Sequence, residues 1–210
     1  MKLYSEQVVP DNYPGADQMG ENLRSKLKYC GEGVRLYPYF KMLRAENASL
    51  DDHCMLWDNV FIDAGRGLTI GKYTLLTWQV LIEGGAETHI GDRVFIGPGT
   101  KLITGTYEFN GYYTSEYVPA ECHKNRYGNI IIEDDAYIGA NCVIMPGTII
   151  HEGALLGAGA FAKGELEPWT IYAGSPAKPI SKRTPPTEER KRIVEEYADW
   201  SKRLYDFDMD

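Results

Sequence analysis

No run of 18 apolar residues occurs in this 210-residue chain, and its opening stretch MKLYSEQVVPDNYPG has no apolar core of the kind a leader needs. Neither a membrane span nor export is therefore expected, and the expected location is the cytoplasm. Positive charge is also short: 22 Lys and Arg stand against 30 Asp and Glu, a net charge of −8. That balance excludes a general nucleic-acid or anionic-membrane binder, which needs a basic footprint. It leaves room for an anionic ligand held by a few lysines in one groove.

Cysteine is sparse. Cys30, Cys54, Cys122 and Cys142 lie far apart with no C-x-x-C pair, which fits reduced, mostly buried thiols and not a disulfide framework. The four histidines are equally scattered. His53, His89 and His151 fall where turns are expected and read as surface or corner residues; no metal is expected. What the chain does have is 43% hydrophobic residues with 25% charged, enough to build one packed domain.

Those apolar residues count in sixes. Large aliphatics fall at Ile132, Ile138, Ile144, Ile150 and Leu156, with Ala162 continuing the series. Four places after each comes a small residue: Ala136, Cys142, Thr148, Ala154, Ala160. Leu50, Leu56, Ile62 and Leu68 keep the same spacing; Ile70, Leu76 and Ile82 resume it after a two-residue slip, and Ile90, Ile96 and Leu102 after another. A period of six matches neither an α-helix nor a lone strand. It matches a triangular solenoid with one flat side per hexad, about 18 residues per coil, in which like side chains stack on like. Residues 50–167 then hold five or six coils of a parallel β-helix.

The count breaks once at length, between Thr104 and Asn129. Compact domains rarely carry so long a loop without a function for it. At the ends, residues 15–29 and 187–205 look helical, the second with Thr187 as N-cap and an apolar face through Val194, Tyr197, Trp200 or Ser201, and Leu204. The expected organisation is a helical or extended cap over 1–49, the β-helix with its loop over 50–183, and a C-terminal helix over 184–210.

With its repeat, loop and terminal IYAGSPAKPI in that order, the chain resembles the hexapeptide-repeat acyltransferases over residues 50–183. The resemblance implies a left-handed β-helix, which spacing alone does not give. It also implies a homotrimer with active sites between subunits, and acetyl-CoA as co-substrate. In the sugar O-acetyltransferase branch a His opens the loop as general base. Here Leu102-Ile103-Thr104-Gly105 is followed by Thr106 and Tyr107, so that His is absent.

A sugar hydroxyl needs proton removal as it attacks a thioester, whereas an amine with a pKa near 8 is partly neutral and nucleophilic already. The absence therefore favours N-acyl over O-acyl transfer. The stretch Thr106–Gly111 (TYEFNG) and residues 167–178 (EPWTIYAGSPAK) resemble bacterial nucleotide-sugar N-acetyltransferases such as those acting on dTDP-4-amino-4,6-dideoxyglucose. Such enzymes serve surface polysaccharide, including lipopolysaccharide O-antigen.

On that resemblance Glu108 is expected to orient the acceptor amine and take its proton. Glu83, in a turn of the adjacent coil, is expected to face the same groove, and Tyr107 and Tyr113 to meet the nucleotide base or the sugar. Ala140 and Ala158 match the small residues along the pantetheine arm. Lys163 and Lys178 match the cations at the cofactor's phosphates. A backbone N–H near Gly139, Ala140 or Gly157 is the expected oxyanion donor. Trp78, at a coil turn, is expected in the trimer core. Two competing readings stand beside this one: O-acetylation of a galactoside- or maltose-type acceptor with His123 as displaced base, and a solenoid that only binds or assembles.

Overall fold

The computed structural model describes residues 8–196. They wind into a parallel β-helix with three flat sides, the expected left-handed solenoid class. One side is a seven-stranded sheet from Tyr29–Cys30 to Glu165–Leu166. The second is an eight-stranded sheet from Arg35–Leu36 to Lys178–Lys182, and the third a six-stranded sheet from Lys41–Leu43 to Phe161–Ala162. For brevity these are sides B, C and A; the chain visits B, then C, then A in each coil.

Like stacks on like inside. Leu56, Leu76, Ile96, Ile138 and Leu156 are register neighbours along side C, and all are fully buried. Ile62, Ile82, Leu102, Ile144 and Ala162 do the same along side A. The small residues expected at the corners, Ala136, Cys142, Thr148, Ala154 and Ala160, are buried as well. Between C and A the chain turns through a left-handed residue in five successive coils: Asn59, Gln79, Gly99, Asn141 and Gly159 have φ of 60°, 61°, 73°, 55° and 72°. Asn and Gly tolerate that region best, so they recur at that place.

The two-residue slips have a structural origin. In the early coils the corner from A to B is wider, running from Ile62 to Ile70 and from Ile82 to Ile90 between strands. The long loop leaves from this same corner in the next coil, between Lys101–Ile103 on side A and Ile130–Ile132 on side B. An insertion there only widens a bend that the backbone already makes.

Both ends depart from expectation. Stacking begins at Tyr29–Cys30, which pairs in register with Ser49–Leu50, so the solenoid starts about twenty residues before the expected boundary and has about seven coils. The short, polar strands Arg35–Leu36 and Lys41–Leu43 hid this, because one inward side chain each is too little to show a period. Residues 15–29 form two 3-10 helices, Ala16–Gln18 and Gly20–Lys26, and not a regular α-helix; only Leu23 and the small Ala16 and Gly20 are buried there. At the other end Thr170–Ala173 folds back antiparallel on Lys178–Lys182 through a turn with a cis Ser175–Pro176 bond. The helix Glu188–Glu196 follows. The Arg190 N–H donates to Thr187 Oγ1 at 3.3 Å, as an N-cap should. Tyr197, Trp200, Ser201 and Leu204 lie outside the described residues.

Candidate active site

The loop opens as a hairpin. Gly105–Tyr107 pairs antiparallel with Asn125–Tyr127, and the Glu108 N–H extends the pairing to the Lys124 carbonyl at 2.7 Å. Thr104 anchors this stem. Its hydroxyl donates to the Glu83 carbonyl (2.5 Å) and accepts from the N–H groups of Gly85 (2.8 Å) and Ala86 (3.2 Å). The adjacent Gly84 and Gly85 leave room: a Cβ on Gly85 would overlap the Tyr127 ring, which also carries the Arg66 guanidinium 5.3 Å from its centre.

Glu83 therefore does sit beside the loop. It ends the strand Leu81–Glu83, pairs in register with Ile103, and its charge acts on the Tyr107 phenol. One coil earlier in the same corner stands Asp63, which is paired with Arg44 and accepts the Gly65 N–H at 3.1 Å. Among the described residues the Glu83 carboxylate has neither a donor nor a cation. Loss of solvent around it, and then the charge of Asp63, push its pKa above the ordinary glutamate value. Loss of solvent, followed by the charges of Glu116 and Glu83, raises the Tyr107 phenol too.

Glu108 is held differently. Its side chain is 22% exposed, lies 3.7 Å from the Arg126 guanidinium, and accepts the Asn110 N–H at 3.2 Å. His123 lies one register step beyond the Glu108–Lys124 pair. It forms a bridge with Tyr113, and its Nδ1 is buried without a partner. Tyr113 itself is 67% exposed at the loop's outer end, where Phe109 and Tyr117 are also exposed. Tyr107 and Glu108 thus lie on the stem beside Glu83, and Tyr113 pairs with the returning strand one step further along the loop.

The expected cofactor residues divide between two corners. Lys163 lies at the A–B corner, the loop's own, two coils further on; Lys178 starts the final antiparallel strand. Both are exposed and neither has an ion-pair partner among the described residues. Ala140 and Ala158 stack at the C–A corner, where a Cβ on Gly139 would lie 2.5 Å from the Ala158 nitrogen. Of the three expected oxyanion donors, Gly139 and Gly157 are already used, by the carbonyls of Leu156 (2.7 Å) and Tyr172 (2.8 Å). Among the described residues the N–H groups of Ala140 and Ala158 find no acceptor.

Four further residues can be placed. Trp78 is 49% exposed at that corner, with its ring centre 4.1 Å from that of Trp57. His53 and His151 do occupy corners. His89 does not: it faces outward from the strand Glu87–Ile90, 3.0 Å from Thr69 Oγ1 and 3.2 Å from Glu87. Sequence reasoning missed Thr104, Asp63, Arg44 and Arg126. The pair Gly84-Gly85 was the available signal for Thr104, since two consecutive glycines imply a neighbour packed closely on the backbone.

Residues 129–164 match the family model of the bacterial transferase hexapeptide (six repeats). A probable macrolide acetyltransferase of Lysinibacillus sphaericus is 33% identical over 53% of this chain and 72% of its own length. The chain belongs to the hexapeptide-repeat transferase family. Another family member, the dTDP-4-amino-4,6-dideoxy-D-glucose acyltransferase of Escherichia coli, is 29% identical over 75% of this chain and 83% of its own. Among solved structures, a point mutant of AntD, an N-acyltransferase from Bacillus cereus in complex with dTDP and coenzyme A, superposes with a TM-score of 0.75. That match covers 82% of this chain and 90% of the other. Its identity of 22% makes it a likeness of fold.

Proposed function

We propose that this acyltransferase moves the acyl group of acetyl-CoA to the amine of a nucleotide-linked amino sugar, for surface polysaccharide, in the cytoplasm. The observation that carries the reading is the company at the loop stem. Where an imidazole would serve a hydroxyl acceptor, the chain presents Thr106 and Tyr107 flanked by the carboxyl groups of Glu83 and Glu108. Carboxylates hold and relieve an ammonium well; they are weak bases for a sugar hydroxyl. The resemblance to the dTDP-amino-sugar acyltransferase, in sequence and over most of both chains, supports the same acceptor.

In this mechanism the neutral amine attacks the thioester carbonyl directly, nitrogen–carbon bond formation is followed by carbon–sulfur cleavage, and no acyl-enzyme forms. Glu108, fixed by Arg126, orients the amine. Tyr107 contacts the sugar, and Tyr113 the nucleotide end. The free Ala140 N–H faces the oxygen that gains charge. Ala158 continues the donor row along the pantetheine arm, and Lys163 and Lys178 meet the phosphates.

The division of these residues between two corners fits a homotrimer, in which one subunit's loop corner meets its neighbour's C–A corner. Side C offers the surface for it: Met55, Leu75, Phe95, Tyr137, Leu155 and Ile171 point outward in register, with Phe95 and Tyr137 stacked at 5.0 Å. Continuous apolar faces of this kind mark interfaces.

One observation favours O-acylation as the second reading: His123 keeps a buried, unpartnered Nδ1 one step from Glu108. Calorimetric titration with acetyl-CoA, and then with dTDP, separates both enzyme readings from a bare scaffold. The proposal expects saturable binding of each, one site per subunit; no heat from either would contradict it.

A further inference from the structure

Three carboxyl groups stand around the start of the loop, and the structure treats them unequally. Asp63 is committed to Arg44 and the Gly65 N–H. Glu108 is committed to Arg126 and the Asn110 N–H. Glu83 alone carries no hydrogen bond or ion pair on its carboxylate among the described residues, while its backbone is held in the sheet. Its register with Ile103 and the Thr104 hydroxyl on its carbonyl hold it against the stem. The side chain is exposed at the end of its strand, so the carboxylate is open to a bound substrate.

We propose that Glu83, not Glu108, is the proton acceptor of the transfer. The inference rests on the amine-acceptor reading above and deepens it. As the nitrogen–carbon bond forms, the nitrogen becomes positively charged; the Glu83 carboxylate takes one N–H proton. The carbon–sulfur bond then breaks with its electron pair going to sulfur, and the proton passes from Glu83 to that thiolate. The products are the amide and the free thiol, and the carboxylate is restored. No oxidant, metal or second co-substrate enters the balance.

The neighbours suit the role. A base already bound to a cation must first give that partner up, which is the position of Glu108 beside Arg126. The charge of Asp63 from the preceding coil acts on Glu83, and that of Glu83 acts on Tyr107 of the stem, where Glu116 and Tyr127 act too. Arg44 neutralises Asp63 and donates to the Gly84 carbonyl at 3.2 Å, so the nearest cation is spent elsewhere. The upward push on the Glu83 pKa makes it a stronger base than a free glutamate, in the direction the reaction needs. Glu83 works only when deprotonated, so activity falls as pH drops through its raised folded-state pKa.

The test is the pH profile of kcat/KM with acetyl-CoA and an amino-sugar nucleotide, for wild type, Glu83→Gln, Glu83→Asp, Asp63→Asn and Glu108→Gln. We expect Glu83→Gln to lose about 100-fold in kcat and the acidic limb with it, with KM for acetyl-CoA unchanged. Glu83→Asp keeps the limb at a reduced rate. Asp63→Asn moves the limb to lower pH by removing a like charge, a shift that a merely structural role would not produce. Glu83→Gln within about threefold of wild type with its limb intact would overturn the proposal, as would loss of the limb in Glu108→Gln instead. If wild type itself ignores amines and acylates hydroxyls, the underlying reading falls, and that result is visible before any variant is made.

Discussion

The Thr104 hydroxyl donates to the Glu83 carbonyl at 2.5 Å, tying the first residue of the loop to the last residue of the strand stacked above it. The contact joins the solenoid's regular part to its one long excursion. Thr104 is fully buried, so its hydroxyl has no water to fall back on.

Thr104→Val keeps the shape of the side chain and removes every one of these bonds. The N–H groups of Gly85 and Ala86 and the carbonyl of Glu83 each lose a partner. Stability should fall by about 2–3 kcal/mol in denaturant unfolding. KM for the acceptor should rise, with KM for acetyl-CoA unmoved, because the donor residues lie on other coils.

Lys163→Ala and Lys178→Ala should each raise KM for acetyl-CoA, by about fivefold for an exposed charge pair. Steady-state kinetics at two ionic strengths checks this, since screening in high salt should shrink the difference between variant and wild type. Neither change should alter KM for the amino sugar.

The thiols should react in two classes. Burial pushes the Cys54 and Cys142 thiols up, and the thiolate is the reactive form. A thiol reagent at pH 8 should modify Cys30 and Cys122, which are only half-buried, and reach Cys54 and Cys142 only on unfolding. Peptide mapping after a timed pulse gives the order.

The solenoid was legible in the sequence because its repeat is one-dimensional: each inward aliphatic from Leu50 to Ala162 reports its own position, without any distant partner. The first coil was not, since Arg35–Leu36 and Lys41–Leu43 offer one fully buried residue per strand. Of the candidate site, the sequence showed the side chains and not their partners. Tyr107 and Glu108 stood out through the resemblance of the loop and Glu83 through the glycines beside it, and the structure places all three along one stem. The partners that distinguish them were hidden. Arg126 meets Glu108 only because the hairpin pairs Thr106 with Arg126, and Asp63 meets Glu83 only because coils stack at a spacing of twenty residues. The choice of free N–H among Gly139, Ala140 and Gly157 depends on backbone hydrogen bonds that no sequence pattern encodes.

The central claim is that a neutral nitrogen opens the thioester here without an imidazole. Release of coenzyme A should be followed with a nucleotide-linked 4-amino sugar and with its 4-hydroxy counterpart, under identical conditions. The account predicts a kcat/KM for the amine at least about 100-fold above that for the alcohol, unchanged in direction by His123→Ala. Equal or faster turnover of the alcohol, abolished by His123→Ala, would contradict it.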